Sequence, residues 1–281
     1  MITLKNKTIM AQIDELGAQI SGLTLIDHSA ALIDQQTATV LFPAIGRSVG
    51  DSYDYQNQTY TMPEQGFAKD ARWRVYTQSA TKVTLELTDN DQLRQSYPFY
   101  FHFLATFQLT ATGIKVDYHL MNMGNVTMAF SLGTELTCHL ATADWQDCQL
   151  TLAPEKALTL VRELDDDAFR TGAIQPSRYF HRGKLPLQTP EIAEHLLILT
   201  NRDMQELVLT SGRQVTQLVL KTADFPFYAV QISPTQQTIK FGLWNGLPDK
   251  QGIRSDLLRK EGNLTLPARD QLVLGYTIEL S

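Results

Sequence analysis

The chain of 281 residues is 43% apolar and 19% charged, which excludes a disordered polymer and leaves material for one sizeable core. A net charge of -6 and a pI near 5.5 argue against a nucleic-acid partner, which needs a concentrated basic surface to displace counterions from phosphates. No stretch approaches the roughly 20 apolar residues that span a bilayer, so no membrane partner is expected.

The opening MITLKNKTIMAQ lacks the apolar run of a signal peptide, and a cytoplasmic location is the expectation. From there, period-two alternation dominates. In KVTLELTD, Val83, Leu85 and Leu87 alternate with Thr84, Glu86 and Thr88, the pattern of a half-buried strand. A turn or two of helix is expected in DQLRQ around Leu93. FYFHFLATFQL then places Phe99, Phe101, Phe103, Ala105 and Phe107 on one face, and GIKVDYHL repeats the alternation with Ile114, Val116, Tyr118 and Leu120. PEIAEHL after Pro190 has room for another short helical turn. LVLGYTIEL near the end, with Leu272, Leu274, Tyr276, Ile278 and Leu280 in phase, reads as a core strand of an antiparallel sheet. Turn residues in TDND, ATG and LPDKQG separate such runs, and no linker, repeat or composition step divides the chain. The expectation is a single domain over 1–281, all-β, with two large antiparallel sheets packed face to face.

Cys138 and Cys148 stand without Cys-x-x-Cys or histidine at ligand spacing, so neither a disulfide framework nor a metal site is indicated, and buried thiols are expected. His102 and His119 alternate outward from strands and read as structural or solvated. His28, His139 and His181 have no motif around them, whereas His195 lies where PEIAEHL meets an apolar run.

Three stretches combine a strand end, Gly or Pro, and polar or aromatic side chains. They are LFPAIGR ending at Arg47, PEQGFAKD around Gln65, and FGLWNGLPD around Trp244. An arginine at a glycine turn offers a rigid donor fork, and Phe67 or Trp244 can stack on the C–H face of a sugar. That mixture suits a neutral carbohydrate. Taken singly, Arg47 also reads as a surface charge, Phe67 as a core plug and Trp244 as a strand-end anchor.

With these stretches in place, the chain resembles the aldose 1-epimerase (galactose mutarotase-like) family in its shorter bacterial branch. The likeness runs through LKNKTIMAQIDELGAQISGL, LFPAIGR, GFAKD, FSLG at Phe130, KLPL at Lys184, DFPFYAV at Asp224, WNGLPD at Trp244 and RKEGNLTLPARDQLVLGYTIEL, in order along nearly the whole length. The resemblance implies a large antiparallel β-sandwich, the galactose mutarotase-like supersandwich. It also implies interconversion of the α and β anomers of an aldose without metal or cofactor: a base takes the anomeric hydroxyl proton while an acid protonates the ring oxygen.

Several positions depart from the family's pattern. Gln65 stands where the family usually has a histidine, Glu135 where it has a second, and His195 where an acidic residue usually grips sugar hydroxyls. Gly242 replaces the usual glutamate base, and Lys69 replaces an arginine; Arg47 is kept. Gln65 can donate a hydrogen bond to a ring oxygen but cannot surrender a proton near neutral pH. The first expectation is a carbohydrate-binding protein, for a hexose or related sugar, with weak or absent mutarotase activity. A second is an active enzyme in which Glu135 and His195 form a rewired base and acid. A non-catalytic interaction scaffold is a third, and a sugar phosphate facing Arg47 and Lys69 is a further variant.

Overall fold

A computed structural model describes residues 1–26, 33–140, 145, 148–154, 159–200, 203–210 and 216–280. His28 lies outside them. Ten strands form one sheet in the order Ile2–Lys5, Ile9–Asp14, Gln19–Leu25, Ile33–Leu41, Leu132–Leu140, Thr238–Asn245, Phe227–Ser233, Leu196–Thr200, Leu160–Leu164 and Arg170–Pro176. Nine form the second, in the order Lys184–Pro186, Gln149–Ala153, Glu206–Thr210, Thr216–Lys221, Gln271–Leu280, Gly113–Asn122, Phe101–Leu109, Lys82–Thr88 and Arg74–Gln78. The ladders within both sheets are antiparallel, the arrangement expected when one face of each strand is apolar.

The alternating runs become neighbouring strands. Val116 opposes Phe107 on one side and Tyr276 on the other, so three residues of the same phase point inward together. From the ten-stranded sheet, Leu136, Phe241, Val230 and Leu199 meet them in one continuous core. Phe99 is buried there too, although its strand begins only at Phe101. Thr84, expected outward, is buried as well, and its hydroxyl is satisfied at 2.9 Å by that of Thr106. Burial pushes the Cys138 thiol well above its ordinary pKa, which leaves it little thiolate character.

Among the described residues, helix is confined to short pieces. Asp91–Ser96 forms because Asn90 caps it, accepting the Leu93 N–H at 2.9 Å, and because Arg94 bridges Asp89 and Asp91. The stretch after Pro190 makes one 3-10 turn, Pro190–Ile192, and the chain then reverses through Glu194 at φ +63°. His102 rests at 3.1 Å from Glu86 and His119 at 2.8 Å from Gln271, both outside the core. At the free edge of the nine-stranded sheet, Val75 opposes Leu85 and Thr77 opposes Thr84, so Tyr76 is an extra residue that bulges from the ladder.

The ten-stranded sheet has an outer face turned away from this core. One cross-strand row on it runs Thr39, Glu135, Gly242, Ala229, Ile198 and Arg162. Directly opposed residues share a face, so this row and its neighbours two residues away display the outward side chains. Unlike the face of a solvated sheet, its middle is apolar. Leu41, Ile45, Ile198, Phe227, Ala229, Trp244 and Leu247 form a second buried cluster there.

Candidate functional site

Glu135 projects from the middle of Leu132–Leu140 onto the outer face, half-buried. The loop after Ile33–Leu41 brings Gln65 to it. Gln65 sits at φ +65° and the following Gly66 at φ +73°, a turn that lays the chain against Phe42. A Cβ on Gly66 would come within 2.3 Å of the Phe42 carbonyl oxygen, so only glycine fits. Gln65 Oε1 accepts the Gly46 N–H at 3.0 Å, which turns Nε2 toward Glu135 Oε2 at 3.5 Å. On the other side Lys240 Nζ stands 3.6 Å from Glu135 Oε1. Amide, carboxylate and ammonium therefore adjoin one another. Lys240 was missed by motif reading, yet it lies two residues before Gly242, and strand alternation places 240, 242 and 244 on one side.

At Gly242, the indole of Trp244 lies over the backbone. A Cβ built on Gly242 would be 2.5 Å from Trp244 Nε1, 2.6 Å from Cε2 and 2.7 Å from the Ala229 Cβ. Gly133, opposite Trp244, completes the floor, with its own notional Cβ 3.1 Å from Cδ1 of the ring. Trp244 is 1% exposed, and its Nε1 has no hydrogen-bond partner. Trp73, by contrast, donates its indole N–H to the Ala68 carbonyl at 3.1 Å.

Arg47 is engaged by another segment. It donates to the Asp167 carbonyl at 2.8 Å, lies 3.6 Å from the Asp167 carboxylate and covers the Phe169 ring at 5.1 Å. Its partners belong to the tip of the hairpin formed by Leu160–Leu164 and Arg170–Pro176, which is thereby fastened to the Arg47 loop. The fastening continues inward. Asp249, fully buried, accepts the Val49 N–H at 2.9 Å, the Ser255 hydroxyl at 2.8 Å and the Lys260 ammonium at 2.8 Å. Its backbone N–H donates to Arg47 and its carbonyl accepts from Arg170. Arg170 and Arg162 both bind Glu261. Desolvation holds the Lys260 ammonium below the usual lysine pKa, with the Asp249 charge opposing that shift.

Lys69 pairs with Asp70 at 2.5 Å. Both cations that sequence reasoning set before an anionic sugar are thus engaged by acidic residues. Phe67 is 9% exposed and packs against Phe42, Tyr97 and Phe101 with ring centroids 5.9, 6.2 and 6.3 Å away. It anchors the Gln65 turn from beneath. Phe67→Leu is expected to lower unfolding free energy by about 1 kcal/mol with sugar affinity unchanged, measured by denaturant titration and calorimetry.

His195 does not join Glu135. It lines a separate cleft of about 580 Å³ with Arg162, Glu163, Tyr179, Glu191 and Gln231, and neither Gln65, Glu135 nor Trp244 reaches that cleft. The strand after His195 is three places from that of Glu135 in the sheet, about 14 Å at the usual strand spacing. The position of His195 along the chain carries no information about that separation. The structure brings Gln65 and Glu135 together, adds Lys240, and lays Trp244 beside them as a buried ring rather than an open platform.

A two-sheet antiparallel sandwich with a polar cluster on the outer face of one sheet defines the protein as a galactose mutarotase-like sandwich. The sequence profile described as Aldose 1-epimerase matches residues 1–229, and the chain belongs to that family. No curated protein matches it. Among solved structures, a galactose mutarotase-like protein from Lactobacillus casei ATCC 334 is 28% identical over 100% of both chains, with a TM-score of 0.92. A galactose mutarotase related enzyme from Lactobacillus acidophilus is 22% identical, covering 100% of this chain and 97% of that one, with a TM-score of 0.90. A galactose 1-epimerase from Lactobacillus acidophilus NCFM shares the fold at 13% identity and a TM-score of 0.69, over 99% and 93% of the two chains.

Proposed function

We propose that the protein is a carbohydrate-binding member of the aldose 1-epimerase family in which mutarotase activity is weak or absent. The observation that carries this reading is the Trp244 indole seated on Gly242. The place where the resemblance puts the general base holds no side chain of its own, and the 2.5 Å approach of Nε1 leaves no volume for one. Anomerisation needs a proton acceptor at the anomeric hydroxyl and a donor at the ring oxygen, each typically worth about 10² to 10⁴ in rate. Gln65 keeps a donor group aimed at the same region but no titratable proton.

The purified protein is expected to leave the α-to-β conversion of D-galactose and D-glucose close to its spontaneous rate, followed by polarimetry. Saturable binding of one of these sugars is expected by calorimetry. Turnover at the level of an ordinary mutarotase would overturn the first statement, and no binding of any hexose the second.

One distance favours a second reading. Lys240 Nζ stands 3.6 Å from Glu135, close enough for carboxylate and ammonium to span the two oxygens of one hemiacetal. In an active enzyme built this way Glu135 is the base and Lys240 the proton source, in place of the Glu135 and His195 pair. Rates that fall by orders of magnitude in both Glu135→Gln and Lys240→Met, and stay unchanged in His195→Ala, are its signature.

A further inference from the structure

We propose that Trp244 is a displaceable plug: its indole occupies the glycine floor that a sugar ring takes up on binding, and its unpaired N–H becomes the donor to a sugar hydroxyl once the ring moves aside. The inference rests on the carbohydrate reading above and adds the residue that decides which sugars enter.

Three observations converge on it. The first is the shape of the floor. Gly133 and Gly242 lie on adjacent strands beside the same ring: a Cβ on Gly242 would collide with it, and one on Gly133 would press it at 3.1 Å while colliding with the Leu243 carbonyl. The flat surface is thus matched to a six-membered ring, and an indole has nearly the bulk of a pyranose. The second is the orphaned donor. Among the described residues, Trp244 Nε1 is the buried side-chain polar atom without a partner, and the cluster in which the ring is packed, Leu41, Ile45, Ile198, Phe227, Ala229 and Leu247, is apolar. A buried donor left unpaired is a standing penalty that a ligand hydroxyl relieves. The third is the neighbourhood. Gln65, Glu135 and Lys240 supply donors and acceptors at the side of the floor, where hydroxyls project from a pyranose lying flat.

The closed arrangement reduces apparent affinity by the fraction of molecules that are open. A plug and a stacking platform therefore respond to truncation with opposite signs. Trp244→Ala removes plug and donor together, and because the closed fraction outweighs one hydrogen bond it is expected to bind D-galactose or D-glucose about tenfold more tightly than the parent protein by calorimetry, the lost bond included. Trp244→Phe, which keeps a ring but removes the donor, is expected to bind about three- to tenfold more weakly than the parent, as the loss of one hydrogen bond dictates. If the alanine variant does not fold, Trp244→Leu takes its place in the same comparison.

The ring is also visible directly. Its indole proton resonance, assigned by its loss in Trp244→Phe, is expected to move downfield and saturate on addition of the sugar. Weaker binding by the alanine or leucine variant, or sugar binding to the parent with that resonance unmoved, overturns the plug and leaves carbohydrate binding standing. No hexose binding by parent or truncated variants removes both.

Discussion

Gly242→Glu, introduced alone, is expected to give a destabilised protein with no gain in mutarotase rate, while the same change combined with Trp244→Ala gains about 10² to 10⁴ in rate. The single variant drives a Cβ to 2.5 Å from Trp244 Nε1 and 2.7 Å from the Ala229 Cβ, and overpacking of this kind costs about 1–3 kcal/mol. Removing the indole relieves the two closest contacts and opens the space into which a glutamate can extend, while the Ala229 Cβ at 2.7 Å must still yield by a few tenths of an ångström. The new carboxylate then stands directly across the ladder from Glu135, where Cβ atoms of opposed residues are about 5 Å apart. It supplies the base that Gly242 lacks, beside Glu135 and the Lys240 ammonium 3.6 Å from Glu135. Polarimetry on the two single variants and the double variant forms a complete cycle, and strong coupling between the sites is the expected result. Equal rates in the Gly242→Glu single variant and the double variant would show that the ring does not obstruct the position.

The second large effect concerns stability. Asp249→Ala leaves the Lys260 ammonium buried without its partner, and loss of one member of such a pair costs about 3–5 kcal/mol. The same substitution also strips an acceptor from Val49 N–H and Ser255, which hold the Arg47 loop. Lys260→Met combined with Asp249→Leu is expected to recover part of the loss, because two apolar side chains need no mutual compensation. Denaturant unfolding of the three proteins tests this. The pH dependence has a defined sign. Because Lys260 has a lower pKa in the folded protein than in the unfolded chain, the unfolded state binds more protons between those two values. Its contribution to stability therefore rises with pH through that window, which ends at the ordinary lysine value of about 10.4, and is constant below the folded pKa. The rise is expected to vanish in Lys260→Met.

Much of the architecture could be read from the chain because antiparallel strands with one buried face impose a period of two. Val83, Leu85 and Leu87, the phenylalanines of 99–107 and the final run to Leu280 each declare an inward side. The candidate site was legible in part. Gln65, Glu135 and Gly242 could be marked by their places between recurrent motifs, and a strand pairing joins Glu135 to Gly242. Trp244 was legible as an aromatic at a strand end, but strand alternation does not say whether a ring on the outer face stands open or lies flat on a neighbouring glycine. That choice depends on Ile45 and Ile198, which come from distant segments, and on Leu247 just beyond the ring. Lys240 and Glu135 are 105 positions apart, and only the register of their strands makes them neighbours. His195 shows the converse: the resemblance places it at a family site position, yet the structure sets it in another cleft.

The bulge at Tyr76 bears on how copies of the molecule meet. A straight border strand offers a row of unused amide groups on which a second sandwich can add its own border, and repetition of that step builds a filament. The surplus residue throws the row out of phase after two positions, so a newcomer docking there finds no continuous template, and growth along this direction is blocked by geometry rather than by charge.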